Sequence, residues 1–176
     1  MKNANFSAFF WGLLRLSMGW TFLWAYFDKL LGLGFATCRS AETGAIDFFC
    51  NSAWINGGSP TMGFLSHGTK GPFAEIFKAM AGNPVVDALF MIGLLGIGLG
   101  MLLGIAVRLG GYSGFAMMVL MYLAGSILPA NNLFMDEHVI YAILLLAFTY
   151  VGAGKSLGLG KKWSQLKLVK KYPILQ

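Results

Sequence analysis

Charge is what this sequence has least of. Charged residues make up 11% of the chain, beside 57% hydrophobic and 15% aromatic residues. A soluble domain carries about 25% charged residues. The length of 176 residues suits a single domain, but one so poor in charge lacks the polar exterior that water demands. That deficit argues against an ordinary soluble globular protein, and the hydrophobic content argues against a disordered one. Histidine and cysteine are scarce too, at two each. Two histidines far apart make no haem site. Two cysteines without a nearby histidine make no zinc site. There is no metal motif, nucleotide loop or serine triad. Any catalysis would need a diffusible cofactor such as quinone, or partner subunits.

What the sequence does have is long apolar runs. A helix crossing a bilayer needs about 20 mostly apolar residues. Four stretches meet this: about Ala8–Phe27, broken only by Arg15; about Val85–Val107, with Asp87 at its start; about Gly111–Leu128; and about Val139–Ala153, with residues 136–138 forming its first turn. A barrel would show shorter strands of alternating polarity. The fold class expected is therefore an all-α membrane protein: a four-helix bundle over residues 1–154, with helices near 8–27, 85–107, 111–128 and 136–153. Lys2 resembles a charged leader, but the run behind it exceeds the ~7–15 residues of a signal peptide core, so the first helix is expected to be retained.

The basic residues orient the bundle. Four spans put both termini on one side, together with Lys2, Arg108 in the link between helices two and three, and Lys155, Lys161, Lys162, Lys167, Lys170 and Lys171. The positive-inside rule makes that side cytoplasmic, so a multi-pass plasma-membrane protein is expected. Residues 155–176 form a basic interfacial tail suited to anionic lipid rather than nucleic acid, or else a solvated tail that fixes topology. Glycines at 96, 100 and 104 suit close helix contacts, either within one bundle or with other membrane subunits in a hetero- or homo-oligomer.

The outer segment, 34–84, reads in three parts. A cysteine-bearing stretch and a glycine-rich stretch come first. Then Phe73, Ile76, Phe77 and Met80 fall at helical spacing, predicting a short amphipathic helix. It suits a lid packed on the bundle mouth, or a gate. Cys38 and Cys50 lie on the outer side, where disulfides persist. A structural disulfide between them closes a small loop, worth roughly 3 kcal/mol; a catalytic dithiol is the alternative.

Few polar residues remain for chemistry. Arg15 lies inside helix one with no inner acid to pair with, so it either snorkels to phosphates or contacts an anion or quinone carbonyl. Lys29 suits a helix C-terminus. Asp28 does not, and is expected to pair with Lys29, Arg39 or His138. Asp136 suits an N-cap and Glu137 a first turn. His138, beside that acid pair, is placed to exchange protons near neutral pH, or to serve as a hydrogen-bonded interface histidine.

The run Arg15-Leu16-Ser17-Met18-Gly19-Trp20 through Phe27-Asp28-Lys29-Leu30-Leu31-Gly32 resembles the first-helix signature of the DoxX/DoxD family. Trp54-Ile55-Asn56-Gly57-Gly58-Ser59-Pro60 and Asn132-x-Phe134-x-Asp136-Glu137-His138 look like segments of DoxX-like proteins. The resemblance implies a four-helix membrane protein, and a membrane subunit of a thiosulfate:quinone type oxidoreductase. In that role Arg15, Lys29 and His138 would contact quinone or anion, Lys29 and Arg39 would attract the anion, and Asp28, Asp136 and Glu137 would orient them. A non-catalytic accessory or scaffold subunit is the alternative, and a small-molecule transporter a third.

Overall fold

The computed structural model describes residues 2–127, 129 and 131–176, with side chains from residue 6 onward. The end of the expected third helix, Leu128, and the side chain of Lys2 lie outside the described residues. Among the described residues the fold is all-helical, with one isolated bridge, Arg39 to Ile46, and no strand. The principal helices are α1 (Lys2–Leu31), α2 (Ala74–Lys78), α3 (Pro84–Leu103), α4 (Val107–Met121), α5 (Glu137–Val151), α6 (Gly160–Trp163) and α7 (Lys167–Lys171).

Local chemistry sets the ends of the long helices. Asn83 caps α3, its side chain accepting from Val85 N at 2.9 Å, and Pro84 occupies the first turn. Gly104, at φ 71°, ends α3 in a left-handed cap. That stop comes earlier than the apolar run suggested, because Val107 and Arg108 already belong to α4 rather than to a link. α4 continues into a π-helical turn over Tyr122–Ser126. Asp136 caps α5 by accepting from Val139 N at 3.2 Å, and Gly152, at φ 65°, closes it.

α1 lies along α3, α3 against α4, and α4 along α5. Glycine permits the closest approaches. A Cβ on Gly19 would sit 2.7 Å from Leu102 N, and one on Gly98 would sit 3.0 Å from Leu23 N. A Cβ on Gly111 would meet Leu145 O at 2.7 Å. The expected glycine repeat is used only in part: Gly96 has nothing within 4 Å, whereas Gly104 packs on Gly154 and Gly158. The core between the helices holds Met18, Phe22, Met91, Leu94, Ile97, Met101, Leu145 and Phe148.

Two helices, Pro84–Leu103 and Val107–Ser126, are each 20 residues long and apolar enough to cross a membrane. α5 is apolar but has 15 residues. The end of the helices that carries residue 104 and the C-terminal segment is here the tail end; the opposite is the loop end. The first turns of α1 run past the end of α3 and carry exposed Phe6, Phe9 and Phe10.

The C-terminal segment folds against the tail end. Leu159 N donates to Leu103 O (2.8 Å), Arg108 N to Gln176 O (2.7 Å) and Arg108 Nη1 to Pro173 O (3.3 Å). Lys161, Lys162, Lys167, Lys170 and Lys171 stay exposed. At the loop end, α2 has its expected helical form. Phe77 and Met80 are half-buried while Phe73 and Ile76 stand exposed, so only part of its apolar face is covered.

Candidate functional site

The polar residues separate into a buried set that is fully engaged, Arg15 at the tail end with Asp28 and Asp87 at the loop end, and a further loop-end set that is not. Arg15 heads the first. It is 0% exposed. Its five N–H donors meet five backbone carbonyls: Nε bonds Ala153 O (3.2 Å), Nη1 bonds Met101 O and Leu102 O (3.1 Å to the latter), and Nη2 bonds Ser156 O (3.1 Å) and Leu157 O (2.9 Å). The carbonyls at 101 and 102 close α3, and 153 follows α5, so the charge rests at helix C-termini. This corrects both expectations for Arg15. It does not reach for phosphates, and it has no donor left for a ligand. Gly158 makes room, since a Cβ there would stand 2.9 Å from Arg15 Nη2.

Asp28 is also corrected. It is 2% exposed and forms no salt bridge among the described residues, its charge acting on neighbouring Lys29 only from a distance. The chain after α1 folds back so that Phe35 N donates to Oδ1 (3.0 Å), and Ala36 N and Thr37 N donate to Oδ2 (2.9 and 3.0 Å). Three amides thus offset the unfavourable carboxylate at a helix C-terminus. A residue the sequence left unassigned does the same for the next stretch. Asp87, buried in α3, accepts from Ser59 Oγ (2.9 Å) and Thr61 Oγ1 (2.6 Å) and fixes the glycine-rich stretch. Lys29 is half-buried and makes no hydrogen bond to a described residue. Arg39 is exposed in the cysteine loop, its Nε 3.5 Å from Gly44 O.

The loop-end set gathers where α5 begins. His138 Nδ1 lies 2.7 Å from Asp136 Oδ2 and 3.4 Å from Ser126 Oγ. Burial works to raise the Asp136 carboxyl. The hydrogen bonds from His138, Val139 N and Ser126, with the His138 charge, outweigh it and hold the group below the ordinary carboxylate value. His138 also borders an apolar groove of about 140 Å³ between α4 and α5, lined by Phe115, Met118, Tyr122, Ala142 and Ile143 among others. Tyr122, the first residue of the π-helical turn, ties that wall to the following loop by donating to Phe134 O at 2.8 Å. Single π turns mark functional places in many helices.

Ligand-capable atoms of Asp136, Glu137 and His138 lie within 4.8 Å of one another. Asp136 and His138 are already bound to each other, and Glu137 is exposed.

The structure does not bring Arg15 and His138 together. Arg15 bonds Ala153, 15 residues along from His138 at the far end of α5. At 1.5 Å per residue that is on the order of 20 Å. A single ligand held by Arg15, Lys29 and His138 is therefore excluded. Cys38 and Cys50 form a disulfide, with Cα atoms 5.7 Å apart. Neither a family model, nor a curated protein, nor a solved structure matches the chain.

Proposed function

We propose that the chain is a multi-pass plasma-membrane protein of DoxX-like type, acting as the membrane subunit of a quinone-linked oxidoreductase. The observation that carries this reading is the His138–Asp136 pair bordering the apolar groove between α4 and α5. Asp136 fixes the imidazole through Nδ1, which leaves Nε2 for a carbonyl oxygen. The groove residues exclude water from that contact. Its volume is below the ~300–1,000 Å³ of drug-sized pockets, which suits one ring rather than a large polar substrate. A quinone, when bound, supplies the two-electron acceptor; His138 holds and moves the proton. The thiosulfate-type donor rests on the resemblance alone, with Lys29 and Arg39 as the cations to attract it.

The bilayer setting draws support from the outward faces of the helices. Leu89, Ile92 and Leu99 on α3, Leu120 on α4, and Ile140 and Ile143 on α5 are exposed. Exposed apolar belts of this kind need lipid or a partner. A 15-residue α5 rises about 22 Å, short of a ~30 Å hydrocarbon core. That shortfall draws the His138 mouth toward the depth at which a quinone ring leaves the lipid. In this setting the tail lysines face the cytoplasmic leaflet and bind anionic lipid, and both termini are cytoplasmic.

An accessory or scaffold subunit is the second reading. Gly96, exposed on α3 with open space around it, favours it by offering a partner helix close approach. Full-length protein in lipid nanodiscs, alone and with its co-purifying subunits, should reduce a short-chain quinone with thiosulfate or sulfite, and His138→Ala should lower the rate at least tenfold. No reduction under either condition would favour the scaffold.

A further inference from the structure

Beside the Cys38–Cys50 disulfide lies an open pocket of about 360 Å³ in the loop between α1 and α3. Both cysteines line it, with Arg39, Asp47 and Ser52. A disulfide whose only task is to close a loop would be expected to hold its own ends together. Here each end is held independently. Residues 35–37, just before Cys38, are bound to the Asp28 carboxylate. Asn56 Nδ2 donates to the carbonyls of Phe49 (2.7 Å) and Cys50 (3.2 Å). Asp47 N donates to Cys38 O at 3.0 Å, across the bridge between Arg39 and Ile46. The two sulfur positions are thus kept opposed without the covalent bond.

The surroundings of the two sulfurs differ. Ser52 N donates to Cys50 Sγ at 3.3 Å. A backbone N–H on a sulfur stabilises its thiolate, which makes Cys50 the better leaving group. Cys38 has a left-handed backbone, φ 65°, uncommon for a residue with a Cβ, and lies against Gly32, where any Cβ would collide with Cys38 Sγ. Arg39 and Asp47 give the pocket one charge of each sign, and the two form no ion pair with each other.

We propose that this pocket is a thiol–disulfide exchange site for a small thiol bearing both a carboxylate and an ammonium group. Arg39 takes the carboxylate and Asp47 the ammonium. The substrate thiolate bonds Cys38 Sγ, the Cys38–Cys50 bond breaks, and its electron pair leaves on Cys50 Sγ, beside the Ser52 N–H. A second thiolate attacks the substrate sulfur of the mixed disulfide and expels Cys38 as thiolate. Two thiolates become one small disulfide, and the protein retains two electrons as a dithiol after taking two protons from water. This site lies apart from the His138 groove and its chemistry does not depend on the quinone reading, although both readings draw on Arg39.

The test uses full-length protein in detergent, L-cysteine as probe and uncharged 2-mercaptoethanol as comparator, with maleimide quenching and peptide mass mapping. Early in the reaction, cysteinylation should fall on Cys38 and maleimide on Cys50. At matched thiolate concentration L-cysteine should react about tenfold faster than 2-mercaptoethanol, and Arg39→Gln or Asp47→Asn should narrow that ratio toward one. A disulfide inert to both thiols until the protein is denatured would overturn the proposal, and so would equal rates for the two thiols in the unmodified protein. The latter comparison needs no variant to fold.

Discussion

At the scale of single residues, the scarce charges divide by what they touch. Arg15 and Asp28 are buried and spend every hydrogen bond on backbone atoms. Both work as staples: Arg15 ties α1 to the tail ends of α3 and α5, and Asp28 folds the start of the cysteine loop. Removing Asp28 strands three amides, two of which share one oxygen. Asp28→Ala should therefore lower stability by about 2–4 kcal/mol, read as a fall in the unfolding midpoint in detergent, with faster proteolysis of the loop. Asp28→Asn keeps one acceptor and should fall between. Asp136 differs, since its partner is a titratable side chain. Its folded carboxyl titrates below the ordinary value. A group depressed in this way adds stability above its unfolded value and loses it as pH falls through the folded one. The protein should thus lose stability on the acid side, below roughly pH 4, and Asp136→Asn should flatten that limb of a midpoint-against-pH curve. An acid limb unchanged in the variant would contradict the pairing with His138.

At the scale of elements, what was legible in the sequence was local. Asp136 as a cap, the short α2 and the Cys38–Cys50 disulfide each follow from neighbouring residues or from a simple pairing. The partners of Arg15 and Asp28 did not show because they are carbonyls and amides of other segments. Backbone groups carry no residue signature, so a side-chain search for counter-charges finds nothing. The π turn at Tyr122 is likewise silent, since one extra residue per turn leaves the apolar run unbroken. Spacing of glycines left open which contacts each makes, because which face a helix presents depends on its neighbours. Gly19 and Gly98 form the α1–α3 crossing, while Gly96 faces open space. Gly19→Leu should force the helices apart and cost more than about 3 kcal/mol. Gly96→Ala should be neutral or stabilising by up to about 1 kcal/mol in an isolated chain. Thermal midpoints of the two variants check this, and a large loss for Gly96→Ala would show that a partner surface had been broken.

At the scale of the whole molecule, the two ends have different tasks. The tail end is locked by Arg15, by glycine contacts among 104, 154 and 158, and by the C-terminal segment bound to Arg108. The loop end holds a disulfide with a charged pocket, and a histidine–aspartate pair facing an apolar groove. Reactive chemistry in this account belongs to that end alone, about 20 Å from the buried arginine. The most direct measurement is labelling of the full-length protein in nanodiscs by a photoreactive quinone, followed by peptide mapping. Label is expected on Phe115–Tyr122 or His138–Ile143, competed by unlabelled quinone and reduced at least tenfold by His138→Ala. Label spread evenly over the lipid-facing helices, without competition, would contradict it.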